Sequence, residues 1–425
     1  VRPIRFSAAP YDVTPIQRKN FINVQIDAVG VGLANAAAPF LPVFLARLGA
    51  SNTQVGLLTS MPAMTGLALA MFVGRFLQAR RNIVPWFSLS RLTVLSCYAA
   101  TGLAGFIVPE QYLVITVLII WALATLPQTA LAVCFSVVMS SVAGPNHRFD
   151  LMSRRWSILG FTTAISVALA GQFLERIGFP LNYQALFIGL SIGGLISYYF
   201  SSHIDLPERH TNNLHTRQSL KQRAKDYRDL ILSHPDFVSF AAKRFIYMTG
   251  VVLATPLFPL YYVHEIQASD AWIGFISTAQ TAVMLIGYFL WTRESRLRGS
   301  RFVMLWTTFG LGLYPAMVAV SSRVEVIAIL AGLAGIFQAG IDLVFFDELM
   351  RTVPEEHSAT FVSLMQSLQY ASAAFAPTVS TLLSTQIGLS GALLISAGVR
   401  LAGFLLFLLW RPATVKAEEL YPTQS

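Results

Sequence analysis

A series of long apolar blocks leaves this chain few ways to fold. Residues 53–77, 112–142, 183–200, 324–341 and 390–410 are dominated by Leu, Ile, Val, Ala, Phe and Gly. Each approaches or exceeds the roughly 20 residues that a helix needs to cross a hydrocarbon core of about 30 Å. In such a core the backbone finds no water, so only helices or closed barrels can span it. The blocks lack the alternation of a barrel strand, and helices are therefore predicted. Composition agrees: 55% of the 425 residues are hydrophobic and 12% charged, against roughly 25% charged in a soluble domain. A soluble fold of this length has too little polar surface to cover so much apolar material.

Twelve spans are predicted, over residues 20–47, 53–78, 83–108, 111–143, 153–175, 181–203, 236–264, 271–293, 301–321, 324–350, 358–385 and 389–411. With the amino terminus inside, the cytoplasmic segments carry Arg80, Arg81, Arg148, Arg154, Arg155, Arg293, Arg351, Arg411 and Lys416. The opposite loops hold only Arg47, Arg176 and Arg323 as basic residues. That asymmetry predicts two cytoplasmic termini and accounts for the net charge of +9 without nucleic acid. A bacterial inner membrane and a monomer in the lipid bilayer are the expected setting. The first twenty residues show no signal-peptide pattern, and Cys97 and Cys134 fall within spans as reduced packing residues.

The chain divides into residues 1–203, a linker 204–235 and residues 236–425. Lys221, Arg223, Lys225 and Arg228 alternate in the linker with Leu220, Tyr227, Leu230 and Ile231, a pattern that predicts a basic amphipathic helix at the membrane surface. The flanking halves look related. Pro39-Phe40-Leu41-Pro42 followed by Val55-Gly56 matches Pro256-Leu257-Phe258-Pro259 followed by Ile273-Gly274. Arg75, Arg80 and Arg81 close span two as Arg293, Arg296 and Arg298 close span eight. A shared order at an offset of a little over 200 residues predicts a duplicated six-span unit.

In these features the chain resembles the major facilitator superfamily over nearly its whole length. Gly74-Arg75 through Arg80-Arg81 is similar to the family's loop signature between helices two and three, without the Asp that normally precedes the basic pair. The drug/proton antiporter signature on helix five is missing: Leu159-Gly160-Phe161-Thr162-Thr163-Ala164 has no proline. The resemblance implies two pseudo-symmetric six-helix bundles and a secondary active transporter working by rocker-switch alternating access. A small-molecule substrate, moved with H+, is expected, and import is preferred over export. An efflux antiporter and a non-transporting assembly factor or sensor remain alternatives.

Ionisable groups inside apolar spans need a reason to be there. Asp27, about two turns into span one, suits proton loading, and a structural ion pair is the competing reading. Asp27 lies twelve residues before Pro39, and Arg244 twelve before Pro256. The duplication thus puts an acid and a base at equivalent points of helices one and seven. The resemblance implies that these helices line a central cavity, where the two are expected to pair when the cytoplasmic side is shut. Arg244 is also a candidate substrate-anion contact. Arg91 in span three could bind an anionic substrate or pair with a carboxylate. Arg400 in span twelve is read as structural. In span ten, Gln338 and Asp342 lie one turn apart as cavity-facing groups, Asp342 as a second proton site. Asp347 and Glu348 near its inner end, with Arg75, are gate candidates. Gln366, Gln369 and Tyr370 form a stripe on span eleven that can bind substrate or join helices. Asn35, Gln128 and Gln280 complete the substrate-binding candidates. Phe258, Tyr261 and Tyr262 are read as an interfacial aromatic belt.

The sequence has no phosphate-cradling Gly-Lys loop. Its histidines lie in or beside loops without metal-ligand pairing. No nucleophile–base arrangement is legible. No cofactor, metal or enzymatic activity is therefore expected.

Overall fold

The computed structural model describes residues 13–78, 80–144, 147–206, 233–352 and 358–409. Most of the predicted amphipathic linker falls outside them. Among the described residues all regular structure is helical, in thirteen helices: α1 Pro15–Asn35, α2 Phe40–Arg47, α3 Asn52–Gln78, α4 Val84–Ile107, α5 Glu110–Ala143, α6 Arg148–Leu174, α7 Leu181–Ser202, α8 Pro235–Ala254, α9 Leu257–His264, α10 Asp270–Arg298, α11 Ser300–Ala319, α12 Val324–Thr352 and α13 Ser358–Leu409.

Twelve rods result, because α1–α2 and α8–α9 are each one span broken by proline and α13 is two. A proline ring clashes with the carbonyl four residues back and offers no N–H. For Pro39 that carbonyl belongs to Asn35, where α1 ends, and Ala36 and Ala37 turn more tightly onto Leu33 and Ala34. Pro256 breaks the second half likewise, just after Ala254. The long α13 bends at Gly388, whose φ of 77° is cheap only for glycine. Thr14 starts α1 with a reciprocal capping box: its Oγ1 accepts from the Gln17 N–H, and Gln17 Oε1 accepts from the Thr14 N–H.

Nine stretches among the described residues are long and apolar enough to cross a membrane, and one of them, Leu364–Leu409, contains both limbs of α13. The helices α3 and α4, outside those nine, bring the rods to twelve. Large apolar side chains point outward, with Leu123 72% exposed and Ile107 80% exposed, as expected of surface that faces lipid.

Helices α1–α7 pack among themselves, as do α8–α13, and two seams join the halves: α3 against α13, and α6 against α10. An aromatic cluster fills each half. Phe44 stacks on Tyr183 at 5.2 Å in the first, and Phe345 lies 5.5 Å from Phe407 in the second. Tyr261 and Tyr262 do not form an interfacial belt. Both are buried: Tyr261 donates to the carbonyls of Ala319 and Ser321, and Tyr262 meets the Tyr314 hydroxyl. The end of α11 leaves those carbonyls free, and a phenol is the nearest donor that can reach them.

Candidate functional site

The contacts joining the halves gather at one end of the molecule, where α2 meets α9 and α10. Arg47 Nη2 lies 2.7 Å from Asp270 Oδ1 and donates to the Ala268 carbonyl at 3.1 Å. The Tyr183 hydroxyl donates to the same carboxylate oxygen at 2.6 Å. Asp270 is the first residue of α10, where the helix dipole favours an acid. Nearby, Asn52 donates to Ser384 at 3.0 Å and the Ser60 and Thr378 hydroxyls sit 2.8 Å apart. Close approach requires small residues: a Cβ on Gly171 of α6 would meet the Asp270 carbonyl at 3.0 Å.

Toward the opposite end, α6 and α10 leave between them a cavity of about 1260 Å³. Its wall is mostly apolar, from Met152, Trp156 and Leu159 on α6 and Met284, Leu285 and Phe289 on α10. Asn35, Thr163 and Thr281 form its deep polar part, and Arg293 and Arg296 lie toward the open end. Asp342 on α12 also lines it. Its carboxylate accepts from the Tyr288 hydroxyl at 3.0 Å and from Gln338 Nε2 at 2.8 Å. Arg244 on α8 interacts electrostatically with Asp342 and has its guanidinium 5.5 Å from the Phe345 ring centroid. It shares a narrow cleft with Gln369. Gln128, Gln366, Gln369 and Tyr370 come together in a second cavity of about 280 Å³ between α3, α5 and α13.

A separate cluster lies buried inside the first half. Asp27 is fully buried, with Arg91 and Arg155 each 3% exposed beside it. Arg91 Nη1 reaches both carboxylate oxygens, at 2.8 and 2.7 Å, and Ser197 donates to Oδ1 at 2.6 Å. Arg155 Nη2 stands farther off, 3.7 Å from Oδ2. Phe87 underlies Arg91, and Phe135 underlies Arg155. Two guanidiniums thus share one carboxylate among the described residues. Arg155 Nε and the Ser88 hydroxyl, both buried, have no hydrogen-bond partner among the described residues.

The expected Asp27–Arg244 pair is therefore not formed in this conformation: Arg91 holds Asp27, and Arg244 is opposed by Asp342. Of the two readings of Arg91, the carboxylate pair is the one found: both carboxylate oxygens of Asp27 offer it a partner in a desolvated site. Arg400 is structural as expected, donating to the carbonyls of Gly250, Leu311 and Val251. Gln280 is half-buried and its backbone packs on Gly335. Asp347 pairs with Arg351 of its own helix at 3.1 Å and accepts from Ser300 at 2.6 Å, while Glu348 is buried. The Arg75 side chain lies outside the described residues. Sequence reading missed Asp270, Tyr183, Arg155, Ser197 and Tyr288 as site residues. Asp270 follows Ser269 in a helix-start pattern that pointed to capping, and nothing in it signalled a partner in the other half.

The sequence profile of the Major Facilitator Superfamily matches residues 240–422. No curated protein matches the chain. Among solved structures, a mutant of the nucleoside transporter NupG has a TM-score of 0.69 at 10% identity, covering 92% of this chain and 99% of its own. A bacterial homologue of the iron transporter ferroportin, in an inward-facing state, has a TM-score of 0.68 at 16% identity, covering 92% and 98%. A bacterial metal transporter has a TM-score of 0.65 at 15% identity, covering 93% and 98%. Likeness at these identities is likeness of fold.

Proposed function

We propose that this protein is a proton-coupled secondary transporter of the Major Facilitator Superfamily, whose profile matches its second half, and that it carries an organic anion by alternating access. The observation that carries the reading is the cavity between the halves, closed at one end by Arg47, Asp270 and Tyr183 and lined by one acid, Asp342, with two arginines. A site between two repeats, sealed on one side, is what rocking of one half against the other alternately exposes. The distribution of Arg and Lys supports placing the sealed end outside, with this conformation facing inward in a bacterial inner membrane and both termini cytoplasmic.

Coupling follows from charge. An ionised Asp342 repels an anion entering a low-dielectric cavity and offsets the field of Arg244. A proton on Asp342 removes the repulsion and leaves Arg244 uncompensated, so proton and anion favour each other's binding and move together. We assign coupling to Asp342 and not to Asp27, because Arg91 and Ser197 already hold the Asp27 carboxylate away from the cavity. The test is proton movement in proteoliposomes carrying a pH dye, challenged with a panel of monocarboxylates and organophosphates. At least one anion is expected to drive alkalinisation outside the wild-type vesicles, and Asp342→Asn to reduce it at least tenfold. Equal proton movement by wild type and Asp342→Asn would overturn the assignment.

The amide-lined second cavity supports another reading, a neutral hydrogen-bonding solute such as the nucleoside in the name of one structural neighbour. Gln369→Ala would then abolish electroneutral uptake and leave anion-driven proton movement unchanged. A metal cargo has less support: among the described residues no three His, Cys, Asp or Glu side chains converge.

A further inference from the structure

We infer that the transported anion carries a long apolar chain and enters sideways from the inner leaflet, between α6 and α10. The inference rests on the transport reading above and narrows its substrate class. Three observations carry it.

Size is the first. Pockets for small ligands span about 300–1,000 Å³, and the cavity here is about 1260 Å³. A small polar metabolite would leave most of that space, and most of its apolar wall, against water. The second is where the apolar wall opens. Phe289 is 83% exposed, Leu297 67% and Trp156 53%, all three lining the cavity. Large side chains left bare at the edge of a gap suit contact with hydrocarbon, and a gap lined by them admits a chain directly from the bilayer.

Charge placement is the third. Arg293 and Arg296 lie near the inner end of α10. Both are exposed, and among the described residues neither has a carboxylate partner, whereas Arg298 is paired with Glu294. Phe289 and Trp156 lie deeper, Phe289 about two turns above Arg296. An anionic amphipath in the inner leaflet has the same polarity, headgroup at the surface and chain toward the midplane. It can slide into the cavity without turning over, its headgroup on the two arginines and its chain along Trp156 and Phe289.

The test uses the full chain in phosphatidylcholine nanodiscs and a dodecyl phosphate bearing a terminal diazirine. After illumination, peptide mapping should find the label on residues 152–163 and 284–297. Excess dodecyl phosphate should suppress it at least fivefold, and butyl or inorganic phosphate should not. In the double variant Arg293→Gln/Arg296→Gln the labelling should fall by a similar factor, while labelling by the uncharged dodecanol analogue stays as in wild type, which also reports an intact fold. Label spread equally over the lipid-facing surface of α5 around Ile119 and Leu123 would overturn the inference. So would competition by butyl phosphate as strong as by dodecyl phosphate. Labelling is read without flux, so its failure leaves anion-driven proton movement to stand or fall on the Asp342→Asn comparison.

Discussion

At the scale of single residues, the Asp27 cluster holds more positive than negative charge in a place where charge is costly. Removing one partner of a buried pair costs about 3–5 kcal/mol, because the other is stranded without solvent. Asp27→Ala strands two guanidiniums and is expected to lower the melting temperature of the purified protein sharply. Arg155→Met should do the opposite of what a salt-bridge count suggests. Its Nη2 is 3.7 Å from the carboxylate and its Nε has no partner, so the substitution removes surplus charge and an unsatisfied donor while Phe135 keeps an apolar neighbour. Thermal unfolding in detergent should therefore rank Arg155→Met at or above wild type and Asp27→Ala well below it. If Arg155→Met is as damaging as Asp27→Ala, the cluster needs its second arginine and this account of it fails. Asp27 itself could be recognised from sequence, as a lone acid in an apolar span. Its partners could not, because Arg91, Arg155 and Ser197 come from three other helices and only the folded bundle selects among the arginines.

Elements are joined here through small residues. Where α1 crosses α7, a Cβ on Gly30 would lie 2.6 Å from the Gly193 carbonyl oxygen, and backbone cannot yield as a side chain can. Gly189, one turn earlier on α7, has open space around its missing Cβ. Gly30→Ala is thus expected to force the helices apart and cost stability. Gly189→Ala should be neutral or gain up to about 1 kcal/mol of helix propensity. Paired melting curves of the two variants check this, and equal behaviour would mean that the seam is not close-packed. The rods themselves were legible in the sequence to within a few residues, since length, apolarity and proline fix them locally. The breaks after Asn35 and Ala254 were not: both lie just before the matched proline pairs, inside spans that hydropathy reads as continuous. Tyr261 and Tyr262 turn inward where the aromatic run suggested a belt, because hydropathy reports depth in the membrane but not which side of a helix meets its neighbours.

For the whole molecule, the decisive contact is one that spans both halves. The seal of Arg47, Asp270 and Tyr183 needs that end to be closed, so under the proposed alternating access it contributes to the energy difference between the two states. No sequence signal could have paired Arg47 with Asp270, which meet only where the two halves pack together. Asp270 is buried, so losing its charge changes that difference by more than an exposed pair would, and about 1.4 kcal/mol already shifts the populations tenfold. Asp270→Asn should therefore increase the fraction of molecules open at this end. Spin labels at Arg176 and Gln386, both exposed at the sealed end of opposite halves, give the distance that reports it. The wild type should show mainly the short separation, Asp270→Asn a second, longer population, and the swap Arg47→Asp with Asp270→Arg a partial return to the short one. A distance distribution unmoved by Asp270→Asn would shift the burden of closure to the packed seams of α3 with α13 and α6 with α10, and the ion pair would be their consequence.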